Sequence, residues 1–273
     1  MSAPRAPAGP DGGHALLARI ARAVLANAGA GRETTAVGPF VALVDLVSPS
    51  PWSSLAVPSP DAPRDADWAA ALPALEARFA ARARALRFEF LEDLFPNLGS
   101  ELERAGWPLA SRDPVSVCGP ADLALPTAVR GLSLEALDAG SPDQLLALFL
   151  GVQQRSFEPD TARDPSAGER EQLRSRMALG AIRCLLARFD GAPAGAGCAL
   201  PAPGGAAEIA GIGTLPAFRS RGIGSAVTAR LAADLFASGR DLAWLTAGGD
   251  GAGRVYRRLG FRPLGAFQRS HGR

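Results

Sequence analysis

Lysine is absent from the 273-residue chain, and all 29 of its Lys/Arg positions are arginine. That absence excludes several chemistries. A Walker A loop needs its lysine, a pyridoxal enzyme needs a Schiff-base lysine, and a protein kinase needs its strand lysine. Histidine is nearly as scarce. Only His14 and His271 occur, each near a terminus, so neither a histidine-based triad nor a metal centre is expected. The three cysteines, Cys118, Cys184 and Cys198, have neither the number nor the spacing of a disulfide framework or zinc site. No apolar run approaches the roughly 18 residues of a membrane span. Residues 1–13 lack the apolar segment of a signal peptide and read as a disordered tail. With a net charge of only +2, nothing favours nucleic acid or an anionic membrane surface as partner. The expectation is a soluble protein of a reducing, cytoplasmic compartment.

What is present is an ordinary globular composition, 47% hydrophobic and 21% charged, in a length that suits two domains or one large one. In the first half, helices are predicted at 14–27, 67–85 and 94–104, and strands at 40–47, 55–57, 86–91 and 115–118. Residues 119–128, GPADLALPTA, read as a linker. Beyond it come a strand at 129–132, helices at 141–155 and 168–179, and a hairpin formed by 184–189 and 192–200. Then follow a strand at 208–215, a helix at 221–236, a strand at 242–246, a helix at 252–259 and a strand at 261–267. This is an α/β sheet with helices on its faces.

The informative stretch is residues 212–224, IGTLPAFRSRGIG, where a strand passes into a helix. Arg219, Gly222 and Gly224 give the spacing R-x-x-G-x-G. A helix start presents unpaired backbone N–H groups and partial positive charge, which suits a pyrophosphate, and glycines let the phosphate approach. Taken alone, such a loop is equally a tight arginine-rich turn. About thirty residues on, residues 252–261 read AGRVYRRLGF, a short helix carrying Tyr256 and ending in Gly-Phe.

Together the two stretches resemble motifs A and B of the GNAT superfamily of N-acetyltransferases, over about residues 129–267. The resemblance implies the GNAT fold, a mixed and mostly antiparallel twisted sheet flanked by helices. It implies acetyl-CoA as donor, an amine of a small molecule or peptide as acceptor, and it admits a homodimer. The donor-binding residues it implies are Ile212, Gly213, Thr214, Arg219, Ser220, Arg221, Gly222, Ile223, Gly224 and Ser225. Tyr256 falls at the family's general-acid position; its other reading is a core aromatic. Glu208, eleven residues before Arg219, stands where some members carry a general base, and its other reading is a solvated strand residue. Strand alternation puts Glu208, Ala210, Ile212 and Thr214 on one face. Phe157 and Glu158 are candidates for the acceptor pocket. One departure is Gly249, where the family often has an Asn.

The first half carries an echo of the second. A strand, a helix and Gly106-Trp107 mirror a strand, a helix and Gly260-Phe261. Its counterpart of the glycine loop, residues 58–64, reads PSPDAPR and has no glycine. The expected organisation is a tail at 1–13, a degenerate GNAT-like domain at 14–125 and a catalytic domain at 126–273, two units in tandem. Two other readings compete. A non-catalytic acyl-CoA-binding regulatory module would use the same loop without chemistry. A dinucleotide-binding Rossmann protein would need G-x-G-x-x-G after its first strand, which this chain lacks.

Overall fold

The computed structural model describes residues 10–48, 50, 52–160 and 162–271. Of the expected tail, residues 1–9 lie outside the described residues. Residues 10–13 do not belong to a tail; they form the first turn of helix α1 (Pro10–Gly29).

The chain divides into two compact units, and the division is not a single cut. The first unit comprises residues 1–116 with 246–249 and 263–273, the second 117–245 with 250–262. The first break of this division falls at 116/117, before the expected boundary at 125/126. The last strand, expected in the second domain, belongs to the first unit, because its hydrogen-bonding partner is there.

In the first unit, α1 leads to strands β1 (Glu33–Val37), β2 (Phe40–Val44) and β3 (Leu55–Pro58), helix α2 (Trp68–Ala80), strand β4 (Arg87–Leu91), helix α3 (Leu98–Arg104) and strand β5 (Leu109–Cys118). Across the sheet the order is β1-β2-β3-β4, then the chain's last strand β11 (Arg262–His271), then β5. β3 and β4 run parallel, as a helical crossover requires, and β4 and β11 run antiparallel. Aromatic rings fill the core. Phe40 lies 5.1 Å from Trp68 and 5.4 Å from Phe88, and Phe88 meets Trp107 edge-on at 5.1 Å.

The second unit contains β6 (Leu132–Leu137), α4 (Asp143–Phe157), α5 (Ala167–Ala178), β7 (Arg183–Phe189), β8 (Ala192–Pro201), β9 (Ala206–Thr214), α6 (Ile223–Ala237), β10 (Leu242–Thr246) and α7 (Asp250–Arg258). Its sheet order is β10-β9-β8-β7-β6, antiparallel except between β9 and β10. α5 starts with a capping box: Ser166 and Glu169 satisfy each other's backbone N–H groups. α6 buries Ile223, Val227, Leu231 and Leu235, the four-residue spacing that made it legible as a helix. α4 supplies Leu146, Phe149 and Val152 to a cluster with Cys184, Leu186 and Cys198 of the hairpin.

Both units follow one scheme: three antiparallel strands, then a helix that crosses over to a strand parallel with the third. In the first unit these are β1, β2, β3, α2 and β4; in the second β7, β8, β9, α6 and β10.

Candidate active site

The site is built around the end of β9. The β9–β10 ladder is short, pairing Leu242 with Ala206, Ala243 with Ala207 and Trp244 with Glu208. Beyond Glu208 the two parallel strands have no further paired positions, so residues 209–214 of β9 leave the ladder at a fork with Glu208 at its last rung.

On its other side β9 pairs with β8, and there the register shifts: Ala196 faces Gly213 but Cys198 faces Ala210. Three steps on β9 match two on β8, so β9 carries one extra residue, a β-bulge. Gly211 sits in it with φ of 60°, in the left-handed region that glycine adopts without strain. The carbonyl of Gly211 accepts a hydrogen bond from Nε2 of Gln153 on α4, at 3.1 Å.

The bulge overturns the alternation expected from sequence. Glu208, Ala210, Ile212 and Thr214 do not share a face. Ala210 packs into the cluster under α4, and Gly213 faces Ser156 and Phe157 at the end of α4. Glu208, opposite Leu200 on the same ladder, falls on that side too. Ile212 and Thr214 point the other way, toward Gly224 at the start of α6. One inserted residue reverses every side chain after it.

After β9 the chain makes a short helical turn (Pro216–Phe218) and then the loop of Arg219, Ser220 and Arg221. Ser220 has φ of 62°, and Gly222, the N-cap of α6, has φ of 77°. No side chain caps α6, and its first intrahelical bond runs from Ala226 N–H to the Gly222 carbonyl. The backbone N–H groups of Ile223, Gly224 and Ser225 thus have no helical acceptor, and the macrodipole adds positive potential there. The arginines are partly committed. Arg219 turns back, its Nε donating to the Thr214 carbonyl at 3.3 Å and its Nη2 to the Ser156 carbonyl at 3.1 Å. It ties the loop to the end of α4. Arg221 lies over the ring of Phe189 at 5.1 Å.

Tyr256 lies on α7, buried, with Phe261 6.2 Å away. Burial pushes its phenol above the ordinary value of 10, so it stays protonated over the whole neutral range. Phe157 is 61% exposed, unusual for a ring at a helix end, and stands beside Gly213. The structure thus brings residues 212–214, 219–225, Phe157 and Gln153 into one connected region. Gln153 was not singled out by sequence; a lone Gln on a helix carries no signal until the bulge it serves is known.

Residues 150–261 match the Acetyltransferase (GNAT) family. The chain carries a GNAT domain. Over nearly its whole length it is similar to a GCN5-related N-acetyltransferase from Kribbella flavida, 29% identical, with a TM-score of 0.75 and coverage of 94% of this chain and 95% of that one. A GCN5-related N-acetyltransferase from Sphaerobacter thermophilus is 17% identical, with a TM-score of 0.59 and coverage of 86% and 76%. A tandem GNAT protein from the clavulanic acid biosynthesis pathway is 16% identical, with a TM-score of 0.57 and coverage of 86% and 79%. These last two show likeness of fold. Among curated proteins none matches.

The first unit has the same crossover without the same helix start. The N-cap of α2 is Asp67, whose carboxylate accepts the N–H of Ala70 at 3.1 Å. A negative side chain already occupies the position that an anion would take. Among the described residues no group of His, Cys, Asp and Glu is arranged to hold a metal, and no helix is long and apolar enough to cross a membrane.

Proposed function

We propose that the GNAT domain transfers the acetyl group of acetyl-CoA to an amine. The observation that carries this reading is the pairing of an uncapped α6 start with the β9–β10 fork. The pyrophosphate would be held by backbone N–H groups between Arg219 and Ser225, with the potential of α6 behind them. The unpaired edge of β9 at Ile212, Gly213 and Thr214 offers backbone groups to the amide-bearing arm of the donor. When bound, acetyl-CoA supplies a thioester whose carbonyl carbon the amine attacks. The C–N bond forms, the C–S bond breaks, and the amine loses a proton while the thiolate gains one.

The chain's own residues serve those two proton movements. Tyr256, kept protonated by burial, donates to the departing sulfur. Glu208, at the last rung before the fork, takes the proton that the amine nitrogen sheds as it attacks, directly or through water. Phe157 shapes the acceptor side. The three cysteines are free, which fits a reducing, cytoplasmic setting. The first unit, with Asp67 on its helix start, does not bind the donor in this way and acts as a degenerate companion.

Thermal unfolding with and without millimolar acetyl-CoA tests the binding step, since a ligand of the native state raises the midpoint. Gly222→Asp, which puts a carboxylate at the pyrophosphate position, is expected to abolish the rise. An unchanged wild-type midpoint would sink the reading. Thiol release over a panel of amines then tests catalysis. Saturable acetyl-CoA binding without release from any amine would mark a binding module instead.

A further inference from the structure

The first unit contains a cleft of about 840 Å³ to which neither the glycine loop nor Tyr256 contributes. Its volume is within the range of small-molecule sites, about 300 to 1,000 Å³. The walls are apolar: Leu72 and Phe79 of α2, Leu86 just before β4, and the rings of Trp52 and Trp107. Trp52 is 47% exposed although it is among the largest apolar side chains of the unit. It is held on two sides, edge-on to His271 at 4.9 Å and under the guanidinium of Arg87 at 5.5 Å.

Arg87 is the unusual member. It lines the cleft, is only 8% exposed, and has one buried donor without a partner. Its Nη1 pairs with Glu89 and its Nη2 donates to the Trp52 carbonyl at 2.6 Å, but Nε has no acceptor. A buried guanidinium N–H left unpaired is costly, and of the four arginines among the described residues with such an Nε, Arg87 is the one that lines this cleft. The other cation lining the cleft, Arg84, is taken up by the carbonyls of Asp45 and Leu46. The one carboxylate lining it is Glu76, which is exposed on α2. Burial, with Arg87 and Arg269 nearby, holds His271 below its ordinary value, so it adds no charge at neutral pH. Glu89 already neutralises Arg87, so what favours an anion over a cation is the unmet Nε donor of Arg87, which calls for an acceptor such as a carboxylate.

We infer that this cleft binds a small carboxylate with an aromatic or branched apolar body, the body against Trp52, Trp107 and Phe79 and the carboxylate at Arg87. The Arg87 Nε is buried, so the carboxylate reaches it only as the side chains around it give way, and the half-exposed Trp52, 5.5 Å from the Arg87 guanidinium, is placed to report that change. The inference concerns the first unit alone and stands or falls separately from acetyl transfer.

Calorimetric titration of the full chain with 4-phenylbutyrate and with indole-3-acetate tests it, with 4-phenylbutyramide as the uncharged counterpart. Saturable binding of a carboxylate is expected, about tenfold or more tighter than the amide. Ala80→Trp, at an exposed position of α2 that lines the cleft, is expected to abolish binding by filling it. Arg87→Met is expected to remove the preference for carboxylate over amide. Should that variant fail to fold, Glu76→Gln serves, because removing the like charge from an exposed side chain is expected to tighten carboxylate binding several-fold. No saturable binding of either carboxylate at millimolar concentration would overturn the inference. So would unchanged binding by Ala80→Trp, or equal affinity for acid and amide.

Discussion

The side-chain amide of Gln153 donates to the carbonyl oxygen of Gly211 across 3.1 Å, fastening α4 to the one irregular residue of β9. A bulge releases its carbonyl from the ladder, and this carbonyl is claimed by a helix instead of by water. Gln153→Leu keeps the bulk and removes the donor. A loss of about 1–2 kcal/mol is expected in urea unfolding, the cost of an unpaired, partly buried carbonyl. An unchanged midpoint would mean that the bulge holds without its clamp.

Gly222 and Gly224 look alike in sequence and differ in structure. Gly222 has φ of 77°, and a Cβ there would come within 3.2 Å of Val129. Gly224 lies in the first turn of α6, where a Cβ would meet nothing closer than 3.7 Å. Gly222→Ala is expected to cost about 1–3 kcal/mol. Gly224→Ala is expected to be neutral or to add up to about 1 kcal/mol through helix propensity. Thermal melts of the two variants side by side distinguish the positions.

Tyr256→Phe keeps the buried ring and removes its proton. If the phenol protonates the leaving thiolate, the rate with any accepted amine is expected to fall roughly 10²-fold with little change in acetyl-CoA affinity. The pH dependence has a definite sign. Burial raises the folded-state pKa, so the acid form persists to higher pH than in the unfolded chain. Its contribution to stability is fully present below about pH 10, the unfolded value, and is lost as pH rises through the folded one. An alkaline limb of activity controlled by Tyr256 therefore lies above pH 10 and is missing from the phenylalanine variant.

The cysteines are expected to be inert in the folded protein. Burial pushes the thiols of Cys118 and Cys198 up to about 12, and that of Cys184 in the same direction. At pH 8 their thiolate fractions fall by more than roughly a thousandfold relative to an ordinary cysteine. A thiol reagent is expected to label none of the three in native protein and all three in denaturant. Rapid labelling of the native chain would contradict the burial.

Much of this was legible in the sequence. The periodicity of α6, the hairpin of β7 and β8, and the glycine loop all announced themselves, because apolar spacing and glycine chemistry act locally. Three features were not. β1, Glu33–Val37, is half exposed throughout and has no apolar run to betray it. The bulge at Gly211 inserts one residue, which leaves composition unchanged yet turns Ile212 and Thr214 away from Glu208. The pairing of β11 with β4 joins residues more than 170 positions apart, beyond the reach of any window along the chain.

That distant pairing bears on the order of events during synthesis. Gln268 of β11 bonds Glu92 across 176 residues of sequence, and Phe267 and Arg269 lie beside Leu91 and Glu89. Until the ribosome has made β11, the nascent first unit lacks the strand that belongs beside β4. It therefore waits with an open edge, the kind of surface that recruits chaperones or stray strands. The second unit also draws on residues as late as Arg262, so neither unit is complete until nearly the whole chain has been made. In this chain the part translated first gains no head start in completion.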